Sequence, residues 1–316
     1  STSPLRPISE LAHFELAHFE LAHFELEFRA MEPPCSSSHP ESRLPESGLP
    51  ENGRREALQI IRPEIYKRLM FPALLMAAVT PRERLIFALD VPDPRAARAL
   101  VEDIGDQVVF YKLGLELAMD AGYFPLVDWL NTCGKRIFVD LKFFDVPATV
   151  ARAVARLQGR GIDFCTVHGN DGMMQAAAEA TRDVKILAVT ALTSLDRGDL
   201  DDLGFQCEVQ DLVLSRAGRA VNLGCDGVIA SGQEAGLLRR ALGDRLLIVT
   251  PGIRPLLNNE QQQRPDDQKR VVSVERAFAD GADYIVVGRP IRDAANPAAA
   301  AAQIQQQIAG IFAGGV

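Results

Sequence analysis

From Leu85 to the C-terminus the chain alternates short apolar runs, rich in Val, Ile, Leu and Phe, with stretches of helical spacing. That alternation restricts the fold more than any other feature. The runs expected as strands are Leu85–Leu89, Val108–Leu113, Arg136–Leu141, Phe164–His168, Lys185–Thr190, Gly227–Ala230, Leu246–Thr250 and Tyr284–Gly288. The expected helices are Pro94–Ile104, Gly114–Ala121, Pro147–Gln158, Gly172–Thr181, Glu208–Leu223, Gln233–Leu242, Val274–Ala279 and Pro297–Phe312. Runs that are apolar almost throughout suit strands covered on both faces, which are parallel and joined by crossover helices. Eight such units in about 230 residues is the count of a (β/α)8 TIM-type barrel. A doubly wound open sheet would want a glycine fingerprint after its first strand, but that turn reads Ala88-Leu89-Asp90-Val91-Pro92. The expected fold class is therefore α/β, with a (β/α)8 barrel over residues 81–316.

Residues 1–80 have another character. Leu-Ala-His-Phe-Glu occurs three times in tandem, from Leu11, Leu16 and Leu21. A period of five cannot keep Leu and Phe on one face of a helix or a strand, and the repeat is too short for a solenoid. Pro33 to Asn52 is rich in Pro, Ser and Glu and is expected to be disordered. The extension reads as translated upstream DNA, with natural initiation at Met70 or Met76. Peptides from residues 11–30 in the native protein would refute this.

A net charge of −8 argues against a nucleic-acid or acidic-membrane partner, each of which calls for a basic face. The apolar run Leu69–Val79 contains Pro72 and is too short to span a bilayer. The Glu-rich start is unlike a transit peptide. Cys35, Cys133, Cys165, Cys207 and Cys225 form no CxxC pair, so a reduced, cytoplasmic protein without a zinc site is expected.

In a barrel of this kind the site lies at the C-terminal ends of the strands. Those ends carry Asp90, Lys112, Asp140 with Lys142, His168, Thr193, Ser231, Pro251 through Arg254, and Gly288-Arg289. Strand alternation puts Asp140 and Lys142 on the same side. Taken alone, that pair would be a structural ion pair, and Asp145 a helix cap ahead of Pro147. At the end of an apolar strand in a barrel mouth, where burying charge is costly, the pair points to function instead. His168 reads as a structural or pocket-lining residue, since the chemistry proposed for this site needs no general base.

Asp140-Leu141-Lys142-Phe143-Phe144-Asp145-Val146-Pro147 resembles the D-x-K-x-x-D signature of the orotidine 5′-phosphate decarboxylases. Phe87-Ala88-Leu89-Asp90, Lys112-Leu113-Gly114, Val189 through Ser194, Val249 through Pro255 and Val287-Gly288-Arg289-Pro290 resemble further blocks of that family, in its order. The likeness runs from about residue 83 to the C-terminus and is greatest to the bacterial branch. Ala148, where Asn is common, and Gly169-Asn170-Asp171 depart from the pattern. A sugar-phosphate branch of the same superfamily shares D-x-K-x-x-D but uses magnesium and an acidic residue in place of Lys112. It also lacks the segment Arg254–Arg270. Both features favour the nucleotide decarboxylase.

The resemblance implies decarboxylation of orotidine 5′-phosphate to UMP, with no cofactor and no metal, by a homodimer with shared active sites. It implies that Lys112, Asp140, Lys142 and Asp145 form an alternating charged network and that Lys142 protonates C6. Asp140 would sit beside the departing carboxylate, and Asp145 and Thr149 would serve the partner's site. Asp90 and Lys112 would bind the ribose hydroxyls, Thr193 the pyrimidine edge, and Pro251 the substrate. Arg254, Gln268, Arg289 and the backbone at Gly288 would hold the phosphate. Residues 256–267 are expected to form a loop that closes over it.

Overall fold

The computed structural model describes residues 79–254 and 270–313. Eight parallel strands close into a barrel in chain order: β1 Leu85–Leu89, β2 Phe110–Leu113, β3 Arg136–Phe143, β4 Phe164–His168, β5 Lys185–Val189, β6 Gly227–Ile229, β7 Leu247–Thr250 and β8 Tyr284–Val287. Closure is made by β1 pairing with β8, Leu85 opposite Ile285 and Phe87 opposite Val287. The alternation of the sequence thus appears as the expected fold. The helices are α1 Pro94–Ile104, α2 Leu115–Ala118, α3 Tyr123–Thr132, α4 Pro147–Ala155, α5 Asp171–Ala180, α6 Arg197–Asp202, α7 Val209–Asn222, α8 Gly232–Leu242, α9 Val274–Ala279, α10 Arg289–Arg292 and α11 Pro297–Ala313.

Helix α1 shows how local chemistry sets these elements. The Asp93 carboxylate accepts from the backbone N–H of Arg95 (2.8 Å) and Ala96 (2.9 Å), and Pro94 supplies a first residue with φ already helical. Ala97, Val101 and Ile104 recur at helical spacing and are buried, and Gly105, with φ 58°, stops the helix.

Each strand sends alternate side chains to two separate cores. Inside the barrel Ile86, Phe110, Phe138, Phe164, Leu187, Leu247 and Tyr284 pack together, with Ala88, Val189, Ile229, Val249 and Val286 completing the interior cluster. Phe164 is its hub, 5.0 Å from Phe110, 5.9 Å from Phe138 and 5.2 Å from Tyr284 between ring centroids. The other faces of the strands meet the helices in the larger cluster that includes Leu85, Phe87, Val101, Leu126, Val154 and Ile304. The barrel is therefore filled, and a ligand is confined to its mouth.

The structure corrects the expected connection between β2 and β3. Helix Gly114–Ala121 shrinks to the single turn α2, and the crossover is made by α3, which the sequence reading omitted. Pro125 and a high aromatic content disguised α3, yet a proline in the first turn removes only an N–H that has no partner in the helix. Tyr123, Leu126, Val127 and Leu130 form its buried face. Helices α6 and α10 were also not foreseen; both are short and lie in strand-to-helix loops on the site side. The expected loop 256–267, Gln268 and nearly all of the 1–80 extension lie outside the described residues. No helix among the described residues is long and apolar enough to cross a membrane.

Candidate active site

A cavity of about 900 Å³ opens at the C-terminal ends of the strands. Its lining includes Asp90, Lys112, Asp140, Lys142, His168, Thr193, Pro251, Arg254, Gly288 and Arg289, so most of the expected residues converge. Asp145 and Thr149 do not line it. Asp145 is exposed, its Oδ1 accepting from the N–H of Val146 at 2.6 Å, and the Thr149 hydroxyl accepts from Arg152 at 3.1 Å. Nor does Asp145 cap α4, whose N-cap is Val146 with no side-chain hydrogen bond. Ser231, another strand-end residue, is used structurally: its hydroxyl caps α8 through Gln233 N–H at 3.2 Å.

Within one chain four charges alternate in sign. Lys112 Nζ lies 3.2 Å from Asp90 Oδ1 and 3.2 Å from Asp140 Oδ2. Lys142 Nζ lies 2.9 Å from both Asp140 oxygens. Asp140 is buried, at 8% exposure. Burial pushes the Asp140 carboxyl toward neutrality, but Lys112 and Lys142 outweigh it and hold the pKa below the usual range. Burial likewise lowers the Lys112 ammonium, and Asp140 and Asp90 more than reverse this, holding its pKa above the ordinary value. Asp140 is therefore a carboxylate and Lys112 an ammonium at neutral pH.

The backbone that presents Lys142 is irregular. Val139 pairs with Cys165 and Phe143 with Val167, so β3 uses four residue steps where β4 uses two. Lys142 sits in this bulge and is the one non-glycine residue with positive φ (46°) among the described residues. Such a conformation is uncommon, persists only when its surroundings over-determine it, and clusters at functional sites. Period-two alternation placed Lys142 beside Asp140, and the structure reaches that result through a bulge.

At the β7 and β8 ends the cavity wall is cationic, with Arg254, Arg289 and Arg292. Arg254 is fixed by its backbone: its N–H donates to Val272 O at 2.9 Å, and Val272 N–H donates to Gly252 O at 3.1 Å. Arg292 was not foreseen because α10 was not. Its Nη1 donates to Asp90 O at 2.8 Å while Asp293 takes its other donors, which joins the β8 end to the β1 end. His168 lines the cavity as expected and packs edge-on against Phe144, with centroids 4.8 Å apart. Burial, then Arg216 and Lys142, hold its pKa below the ordinary value, so it is a neutral imidazole at pH 7. After it, Gly169 is required sterically, since a Cβ there would lie 2.8 Å from Val189 O. Thr166 was also overlooked. It is fully buried, inward-facing and two residues before His168, and that polar interruption of an apolar strand was its signal.

A filled (β/α)8 barrel with alternating lysines and aspartates at its mouth and arginines beside them defines a barrel enzyme for an anionic substrate. The sequence profile of the orotidine 5′-phosphate decarboxylase / HUMPS family matches residues 83–304, and the chain belongs to that family. It is 61% identical over 233 residues to the orotidine 5′-phosphate decarboxylase of Methylococcus capsulatus, covering 74% of this chain and 95% of that protein. To the same-named protein of Xanthomonas oryzae it is 55% identical over 228 residues, 72% of this chain and 92% of the other. The crystal structure of orotidine 5′-phosphate decarboxylase from Lactobacillus acidophilus superposes with a TM-score of 0.63 at 34% identity, covering 72% of this chain and 99% of that one.

Proposed function

We infer that this chain converts orotidine 5′-phosphate to UMP and carbon dioxide. The observation that carries the reading is the unbroken series Asp90, Lys112, Asp140, Lys142 in the barrel mouth. Release of carbon dioxide leaves its bonding pair on C6 of the pyrimidine, a vinyl carbanion with no adjacent π-acceptor. Stabilisation must then be electrostatic, and a preorganised ammonium is the most direct means. Lys142 supplies it and gives its proton to C6, to be reprotonated from water. Asp140 sits beside the departing carboxylate and fixes both lysines.

Asp90 and Lys112 bind the ribose hydroxyls, Thr193 the pyrimidine edge, with Pro251 against the substrate. The phosphate is held by Arg254, Arg289, the backbone at Gly288 and, outside the described residues, Gln268. Contacts so far from the reacting carbon help by organising the site. Replacing Arg289 by alanine is expected to lower kcat/KM roughly a hundredfold, since charge-assisted bonds to phosphate are lost. Steady-state kinetics with orotidine 5′-phosphate measures it, and a change under threefold would remove Arg289 from the phosphate site.

The working unit is a homodimer in which Asp145 and Thr149 enter the partner's site. Exposed apolar residues flank Asp145, with Phe144 at 64% and Val146 at 63%, and Leu115 and Met119 are exposed on the β2 side. Exposed apolar side chains of this size beside the site suit a subunit contact. A cytoplasmic location fits the free thiols of Cys133, Cys165 and Cys207.

The activity is tested by following the pyrimidine absorbance after adding orotidine 5′-phosphate to purified, EDTA-treated protein. Turnover within about twofold of the untreated rate is expected, because Lys142 and not a Lewis acid stabilises the carbanion. No turnover, or turnover restored only by magnesium, would favour the sugar-phosphate branch.

A further inference from the structure

We propose that Thr166 is the positioning residue that locks Lys142 and Asp140 into their working geometry, an inference that rests on the decarboxylation reading. The β3 bulge takes Lys142 out of the regular ladder, so its backbone N–H needs another acceptor. That acceptor is Thr166 Oγ1 on the neighbouring strand, at 2.9 Å. The same hydroxyl donates to Asp140 Oδ1, also at 2.9 Å. A threonine hydroxyl has one proton, and here it is spent on Asp140 while a lone pair serves Lys142.

Three constraints thereby meet on one oxygen. It stabilises the positive φ at Lys142, which costs an L-residue energy unless its surroundings enforce it. It fixes the plane of the Asp140 carboxylate, whose two oxygens must face Lys142 and Lys112 together. It also acts from full burial, where water cannot take its place. Without the hydroxyl, the Lys142 N–H loses its acceptor in a half-buried position, and the bulge gains by relaxing toward a regular strand. The Lys142 ammonium then moves relative to C6. An error of about 1 Å in such a group can cost on the order of a hundredfold in rate, while the phosphate contacts at the β7 and β8 ends are unaffected and Asp90 still holds Lys112 toward the ribose.

The test compares Thr166→Val, which keeps shape and removes both bonds, with Thr166→Ser, which keeps the hydroxyl. Thr166→Val is expected to lower kcat about 10- to 100-fold with KM and UMP affinity within about threefold. Thr166→Ser is expected to stay within about threefold of the parent enzyme. A valine variant with kcat within threefold, or a serine variant as impaired as the valine one, overturns the proposal. Crystal structures of parent and valine variant decide independently of turnover: the proposal requires the Asp140 carboxylate to rotate or the Lys142 backbone to leave positive φ, and an unchanged pair overturns it. Should the parent protein fail to decarboxylate orotidine 5′-phosphate, the functional reading falls and this structural comparison still stands. If valine prevents folding, Thr166→Cys, of similar size and a weak hydrogen-bonding group, takes its place.

Discussion

Lys142→Ala is expected to lower kcat for orotidine 5′-phosphate by about four orders of magnitude or more while UMP affinity changes less than about tenfold. The two effects separate because the proposed mechanism gives Lys142 two duties in the transition state and little in ground-state binding. It places a cation at the carbon that becomes negative, and it supplies the proton that ends the carbanion's life. In the proposed binding mode the substrate is held chiefly elsewhere, through the β7 and β8 arginines and the ribose contacts. Removing the ammonium also leaves the buried Asp140 with Lys112 as its remaining close cation. Losing one partner of a buried pair is costly, so a lower melting temperature should accompany the lost activity. Single-turnover kinetics and UMP titration measure the effects. Activity within tenfold of the parent would leave the barrel as a nucleotide-binding protein whose chemistry, if any, resides elsewhere.

Mixed subunits give the second large effect. Asp145→Ala alone is expected to be as inactive as Lys142→Ala if Asp145 completes the neighbour's charged series. In a heterodimer of the two variants, one site carries both substitutions and the other carries neither. Random assortment of equal amounts makes half the dimers mixed, so activity should recover to about a quarter of the parent value from two inactive proteins. Subunits are unfolded together, refolded and assayed against each variant refolded alone. No recovery would mean that Asp145 acts within its own chain or not at all, and would remove the shared site.

The barrel was legible because strands covered on both faces leave a continuous apolar imprint, and eight such imprints survive in order. Boundaries moved by up to three residues, as at Val108 and Val109, which are outside β2, and at the end of α4, which stops at Ala155. What eluded the sequence was short-range. Helix α3 begins with aromatic residues and a proline, α10 is a single turn, and with α10 went Arg292 and its tie to Asp90. The alternating charges were visible as residue types at strand ends, whereas their order was not. Within one chain Asp90 occupies the end of the series, and Asp145 stands outside the cavity. Nearness in sequence to Asp140 and Lys142 does not by itself bring a residue into their cavity. The bulge at Lys142 left no mark either, since a regular strand predicts the same side for Asp140 and Lys142. The register shift, the positive φ at Lys142 and the turn of its N–H to Thr166 Oγ1 reveal it in the structure.

The proposed chemistry requires a cation held against the reacting carbon, and a crystal structure of the complex with UMP tests this most directly. It should show Lys142 Nζ within about 3.5 Å of pyrimidine C6, Asp140 beside the space vacated by the carboxylate, and phosphate against Arg289 and Gly288. A pyrimidine lodged elsewhere, or a Lys142 amine turned into solvent away from Asp140, would contradict it.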